Sequence, residues 1–380
     1  MSTQLWIPSR SHSTIERVKP KILILSASFG DGHNSAARHL AEALKEKAEI
    51  LVADPCHIGN PRINAFLCKA YREITTYTPK IWAWMYRSTD RQDFSQPLPF
   101  IAKTEDAVAN LLNKFEPDLV VNTYPLYPYM VKRQFSIGRR VPIITIITDS
   151  IEINAAWTRS PSDYFLITDD HTREGLITRN LSKEKMNITG FPVSPRFESL
   201  EKVSPDDPLN PFRILFFPTA RSPHVTDIIK AALSHENHIT VVLGRNVRRL
   251  YRKVYSLKKS FPGRIHIKGW TRKVPELLSS HHLVIGKAGG ATVHEAIAAQ
   301  CPMLVHHIVP GQEEGNIELL DRFQTGSLAT SAKTIRESIS NLLDDDAALW
   351  REQKNRLSQH ARPSAARDAA NFILSKVKPS

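Results

Sequence analysis

Cysteine is scarce in this chain: Cys56, Cys68 and Cys301 are the only three in 380 residues. An odd number with no close pair excludes a disulfide framework and a clustered zinc site, and predicts free thiols, buried or partly so. Long apolar runs are missing too. The longest stretches, Ile22–Ala27 and Val141–Ile147, are far too short to span a bilayer. The opening Met1-Ser2-Thr3-Gln4-Leu5-Trp6 lacks the apolar core of a signal peptide, which predicts a cytoplasmic location. No biased segment suggests disorder, and no repeat suggests a solenoid. No zinc-finger or aromatic RNA-binding signature occurs, which argues against nucleic acid as a partner.

Basic charge, by contrast, is in excess. Lys and Arg number 51 against 38 Asp and Glu, giving a net charge of +13 and a pI near 9.6. Such a chain suits an anionic partner, whether an acidic membrane surface or a phosphorylated substrate. Its length accommodates two domains, each with a full core.

Short apolar runs alternate with segments of helical spacing. Ile22–Ser28, Ile50–Ala53, Leu119–Asn122, Pro142–Thr148 and Tyr164–Ile167 read as strands, with helices such as Asn34–Lys47 and Glu105–Phe115 between them. Most of the strands are apolar throughout, as expected of parallel strands covered on both faces. A proline-rich break (Pro192, Pro195, Pro205, Pro208, Pro211) reads as a linker. The alternation then resumes with Arg213–Phe217, Ile239–Leu243, Arg264–Ile267, Leu283–Ile285 and Met303–His306. The expected class is α/β, with two doubly wound parallel sheets facing one another across a cleft. The expected divisions are an extension at 1–20, a first domain at 21–195, a linker at 196–211, a second domain at 212–360 and a C-terminal helix at 361–380.

Candidate site residues sit where strands end. Gly30 and Gly32 allow a tight turn after the first strand, Asn34 or Ser35 can cap the following helix, and His33 stands at the junction. A histidine at a helix start tends to stay neutral and can act as a general base, or it can simply bond the turn. Asp149, at the end of another strand, can orient His33, hold an acceptor hydroxyl or cap the next turn. Gly289, Gly290, Ala291 and Thr292 open a helix directly after a strand, where free N–H groups and the helix dipole favour phosphate. Glu295, one turn on, can accept from sugar hydroxyls. Gln312, Glu313 and Asn316 form a polar loop near it, and the Gln312 amide both donates and accepts. Trp270, beside Thr271, either stacks on a base or is an ordinary core or rim tryptophan. His281-His282 and His306-His307 show no further ligand spacing and read as structural.

Phe66–Tyr86 carries Phe66, Tyr71, Tyr77, Trp82, Trp84 and Tyr86 among Lys69, Arg72 and Lys80. That composition fits a segment lying on an anionic membrane, or a helical pair packed into the first domain.

Taken together, the Ser26–Ala37 junction, Thr148-Asp149, Gly289–Ala296 and Val309–Asn316 resemble the monogalactosyldiacylglycerol synthase and processive diacylglycerol glucosyltransferase family, which is related to the lipid-linked N-acetylglucosaminyltransferase of peptidoglycan synthesis. The resemblance covers roughly residues 20 to 345. It implies a GT-B fold and an inverting transfer of a hexose from a UDP-sugar to a lipid hydroxyl. The UDP-sugar is a co-substrate, with no metal and no other cofactor. By this resemblance His33 is the base, Glu295 meets the ribose, Gln312 reads the donor sugar and Trp270 lies at the uracil pocket. Gly289, Gly290 and Ala291 meet the diphosphate. Two departures stand out. Asn154 occupies a place where the family commonly has histidine. The loop Phe217–Pro223 has no glycine, so phosphate contact there falls to Arg221 or Ser222. The alternatives are a UDP-sugar 2-epimerase on the same architecture and a non-catalytic nucleotide or lipid binder.

Overall fold

The computed structural model describes residues 19–96, 101–135, 140–219, 224–244 and 247–377. The first half forms a six-stranded parallel sheet from β1 (Lys21–Leu25), β2 (Glu49–Ala53), β3 (Leu119–Asn122), β4 (Ile143–Ile146), β5 (Tyr164–Ile167) and β6 (Met186–Ile188), in the order β2-β1-β3-β4-β5-β6. The second half forms another from β7 (Arg213–Phe216), β8 (His238–Val242), β9 (Ile265–Lys268), β10 (Leu283–Lys287), β11 (Met303–His307) and β12 (Gly326–Leu328), in the order β12-β11-β10-β7-β8-β9. Both sheets are wound in two directions from an inner strand. In the first the direction changes between β1 and β3, and in the second between β7 and β10. Beyond the carboxyl ends of such strands the connecting loops part, leaving a crevice for ligands.

The central strands are buried on both faces, which is why their sequences run apolar without alternation. The two strands not expected from sequence, β6 and β12, are three-residue edge strands only partly buried, too short to show an apolar run. The first helix also differs from expectation. It runs Asp31–Leu44 and starts at Gly30, whose φ of 100° only glycine adopts readily. His33 therefore lies inside the first turn, and Asn34, rather than capping, accepts a 2.7 Å bond from Ser26 Oγ.

The proline-rich segment is pinned down, since Phe197 and Val203 are buried in cores of the second half. The helix Ala365–Lys376 returns to the first half, where Ala369, Ala370 and Ile373 pack with Ile22 and Leu40. The C-terminal segment thus straps the two halves together. Cys56 and Cys68 are partly buried, Cys301 is buried, and all three are free.

Candidate active site

A cleft of about 1040 Å³ opens between the carboxyl ends of the two sheets. Gly32, His33, Thr148 and Asp149 line one wall. Gly289, Gly290, Ala291, Thr292, Gln312, Glu313 and Asn316 line the other. The histidine and the helix start, 256 residues apart in sequence at Gly289, share one crevice.

His33 comes after β1 and is 8% exposed. Nδ1 lies 3.1 Å from Thr148 Oγ1, beyond β4, and the Thr123 carbonyl beyond β3 also bonds the ring. Tyr124 stands edge-on at 5.4 Å, and Trp157 lies tilted at 6.0 Å. Burial lowers the pKa to about 4, with the Thr123 bond acting weakly against it. The imidazole is therefore neutral at physiological pH. The orienting bond expected of Asp149 is made by Thr148 instead. Asp149 accepts a 2.9 Å bond from Trp157 Nε1, and burial raises its pKa to about 6.

Asn154 does structural work at the position where histidine was expected. Its Oδ1 accepts from Ala156 N at 2.9 Å and caps a short helix, while Nδ2 donates to the Tyr86 carbonyl at 3.1 Å and to Thr89 Oγ1 at 2.9 Å. It ties the Asp149 loop to the helix Pro79–Ser88.

On the opposite wall β10 leads through Ala288 into the helix Gly290–Ala298, capped by Gly289 with no side-chain bond, so its first N–H groups remain free for a ligand. Glu313 braces the approach. Its Oε1 pairs with Lys287 Nζ at 2.5 Å and its Oε2 accepts from Val309 N at 2.9 Å. Asn316 Nδ2 donates 2.9 Å to the Ala288 carbonyl, and its Oδ1 is buried without a partner.

Three of the residues singled out from sequence stand away from the lining. Glu295 is partly buried one turn deeper, where burial raises its pKa to about 7 and Arg38 of the first helix opposes that shift. Trp270 is 54% exposed, with the Arg272 guanidinium 5.6 Å from its ring centroid. Thr271 Oγ1 accepts from Lys273 N at 3.0 Å. Arg221 and Ser222 fall outside the described residues, although Thr219 and His224 on either side of them line the cleft.

Sequence reasoning missed Thr148, Lys287, Thr219 and His224. Both histidine pairs were read as structural. His281 and His282 are structural, bonded to Thr240 Oγ1 at 2.9 Å and to Arg213 N at 2.8 Å. His306 and His307, however, line the cleft. They lie at the carboxyl end of β11, and that position was the available signal.

The helices Pro61–Tyr77 and Pro79–Ser88 split the aromatic segment in two. Phe66 (69% exposed), Tyr77, Ile81 and Trp84 (71%) face outward, with Ile63, Leu67 and Met85 beside them. Tyr71, Trp82 and Tyr86 turn inward, with Trp82 edge-on to Tyr71 and tilted against Tyr86. Arg62, Lys69, Arg72, Lys80 and Arg87 on the same two helices are exposed, and Lys69 and Arg72 border the cleft. No helix among the described residues is long and apolar enough to cross a membrane.

Two parallel sheets facing one another across a cleft at their carboxyl ends define a GT-B fold. The structure superposes on the MurG protein of Acinetobacter baumannii with a TM-score of 0.61 at 15% identity, covering 94% of this chain and all of that one. The UDP-GlcNAc 2-epimerase of Neisseria meningitidis gives 0.57 at 13% identity, covering 93% and 99%. Residues 33–193 match the family model for monogalactosyldiacylglycerol (MGDG) synthase. Over 359 residues the chain is 24% identical to a processive diacylglycerol beta-glucosyltransferase of Bacillus pumilus, covering 91% of this chain and 92% of the relative.

Proposed function

We propose that the protein is a glycosyltransferase that moves a hexose from a UDP-sugar to the hydroxyl of a diacylglycerol-type lipid, with inversion. The observation that carries this reading is the opposition of His33 and the Gly289–Thr292 helix start across one cleft. The names of the relatives and the matched family domain support the substrate class.

The neutral His33 takes the proton of the acceptor hydroxyl as that oxygen attacks the anomeric carbon. Burial keeps its basicity low, but bound diphosphate brings negative charge close by and raises it. The C1–O bond to UDP breaks as the new C1–O bond forms. Charge developing on the departing diphosphate meets the free N–H groups of Gly290–Thr292 and the Lys287 ammonium, which are fixed before the reaction starts. This arrangement stabilises the leaving group without a metal, and activity should survive a chelator. Gln312 meets the hexose. Glu295 reaches the ribose, and Trp270 with Thr271 the base, when the donor seats and the walls adjust around it. The acceptor enters from the side where Phe66, Ile81 and Trp84 dip into an anionic leaflet and basic side chains hold its headgroups. The protein thereby works as a peripheral enzyme on the cytoplasmic face of a membrane.

The test is incubation with UDP-glucose, UDP-galactose and UDP-N-acetylglucosamine, with and without vesicles containing diacylglycerol, followed by mass spectrometry. A glycosylated lipid supports the transferase. Because the fold is shared with a 2-epimerase, an epimerised donor without lipid would replace this reading. Vesicle binding without either product would leave a binding protein.

A further inference from the structure

The two outward-facing helices also reach across the cleft. Tyr71, on the inner face of Pro61–Tyr77, donates its hydroxyl to Gln312 Oε1 at 2.9 Å, a bond between residues 241 apart in sequence. Its ring is held edge-on by Trp82 at 4.9 Å. The same pair of helices braces the rest of that loop. A Cβ on Gly311 would lie 3.4 Å from both Ala83 Cα and Tyr86 Cδ1, and Arg87 pairs with Glu314 at 3.4 Å. The loop carrying Gln312 is therefore held from the opposite half of the protein.

A glutamine amide has two unlike ends, an acceptor oxygen and a donor NH2, which exchange places by a half-turn. The Tyr71 hydroxyl, donating to Oε1, holds the oxygen end of the amide toward the helix and leaves the two N–H groups to be offered to a ligand. We propose that Tyr71 is a positioning residue for donor specificity. By holding the Gln312 amide in one orientation, it sets which hexose configuration the cleft accepts. This rests on the reading of the cleft as a UDP-sugar site. A sugar hydroxyl placed to accept from that NH2 gains a bond that its epimer, with the hydroxyl directed elsewhere, cannot make. Without Tyr71 the amide presents oxygen as readily as nitrogen, and the distinction weakens.

The experiment compares wild type, Tyr71→Phe, Gln312→Ala and the double variant. It measures kcat/KM on vesicles containing diacylglycerol, and dissociation constants by calorimetry, for UDP-glucose, UDP-galactose and UDP. Tyr71→Phe is expected to reduce the preference between the two hexoses by about fivefold to tenfold, the scale of one lost hydrogen bond, while affinity for UDP stays within about twofold. In the Gln312→Ala background it should change the preference no further, as expected of two residues acting through one interaction. An unchanged hexose preference in Tyr71→Phe overturns the proposal, and so does an equal effect in both backgrounds. If no sugar is transferred but UDP-sugars bind, the transferase reading fails and the ratio of dissociation constants still decides the role of Tyr71. If neither hexose donor binds, both readings fall.

Discussion

The carbonyl oxygen of Thr148 lies 2.8 Å from the position a Cβ on Gly290 would occupy. The hydroxyl of the same threonine holds His33. One residue thus supports the proposed base with its side chain and admits the phosphate-facing helix start against its backbone. The two halves meet at the chemistry, and only glycine at 290 permits this approach, because any side chain would strike backbone that cannot swing aside.

Gly290→Ala should therefore impair the site more than the fold. The residue lies at the helix N-terminus, where alanine itself costs little, so the damage comes from the two halves being pushed apart. A fall of about tenfold or more in kcat/KM is expected, with weaker UDP binding and little change in melting temperature. Activity at the wild-type level would mean that the contact does not define the working geometry. The reference point is that small misplacements of reacting groups cost roughly 100-fold.

His33→Ala should leave UDP affinity within about twofold by calorimetry, because the helix start is on the other wall. Turnover should fall at least ~100-fold, the usual scale for loss of a general base. Near-normal turnover would remove the histidine from the mechanism.

Asp149 supplies the pH signature. Burial places its pKa at about 6, whereas His33 is already neutral above about 4. If the charged carboxylate is the working form, kcat/KM should decline as pH falls through 6, with the limb belonging to Asp149. Asp149→Asn keeps an acceptor for Trp157 Nε1 but cannot titrate, so it should flatten that limb while lowering the plateau. The stability sign is separate. A carboxyl whose folded pKa is raised from 3.8 to about 6 binds its proton more tightly in the native state. Its contribution to stability is present below the unfolded value and is lost as pH rises from about 4 through 6. A limb that persists unchanged in Asp149→Asn would assign it to another group.

Much of this frame was legible in the sequence, because burial on both faces writes itself into a parallel strand. Ile22–Ser28, Leu119–Asn122 and Leu283–Ile285 read as strands, and the residues just past each of them were expected at a sheet's carboxyl edge. A single cleft shared by His33 and Gly289 was the expectation that followed, and the structure puts both in its lining. The part that was not legible depends on contacts between distant segments. Nothing near residue 148 announces that Thr148, rather than Asp149, holds His33, nor that Lys287 finds Glu313. His306-His307 has no motif of its own and enters the site only because β11 lies next to β10. The helix start at Gly30 was misjudged because Asn34 and Ser35 look like caps, whereas the backbone had already turned at a glycine with positive φ. In the aromatic segment composition gave both answers at once, and only the helical geometry sorted the outward rings from the inward ones.

That sorting leads to the membrane prediction. Phe66 and Trp84 are 69% and 71% exposed, on adjacent helices, with Tyr77 and Ile81 between them in sequence and five exposed basic side chains on the same two helices. Burying one such aromatic ring in the interface contributes about 1.5–3 kcal/mol, and each basic residue near an anionic surface about 1 kcal/mol. Phe66→Ser or Trp84→Ser should therefore lower partitioning onto vesicles containing anionic lipid by roughly 10-fold to 100-fold, as read by sedimentation. Lys80→Ala should weaken binding less, and its effect should fade at high salt. None of these three side chains lines the cleft. UDP affinity and transfer to a short-chain acceptor below its micellar concentration should consequently remain near wild type, while transfer on vesicles falls with binding. If Phe66→Ser and Trp84→Ser bind vesicles as the wild type does, the outward face of these helices is not the membrane contact, and the acceptor must reach His33 by another side of the cleft.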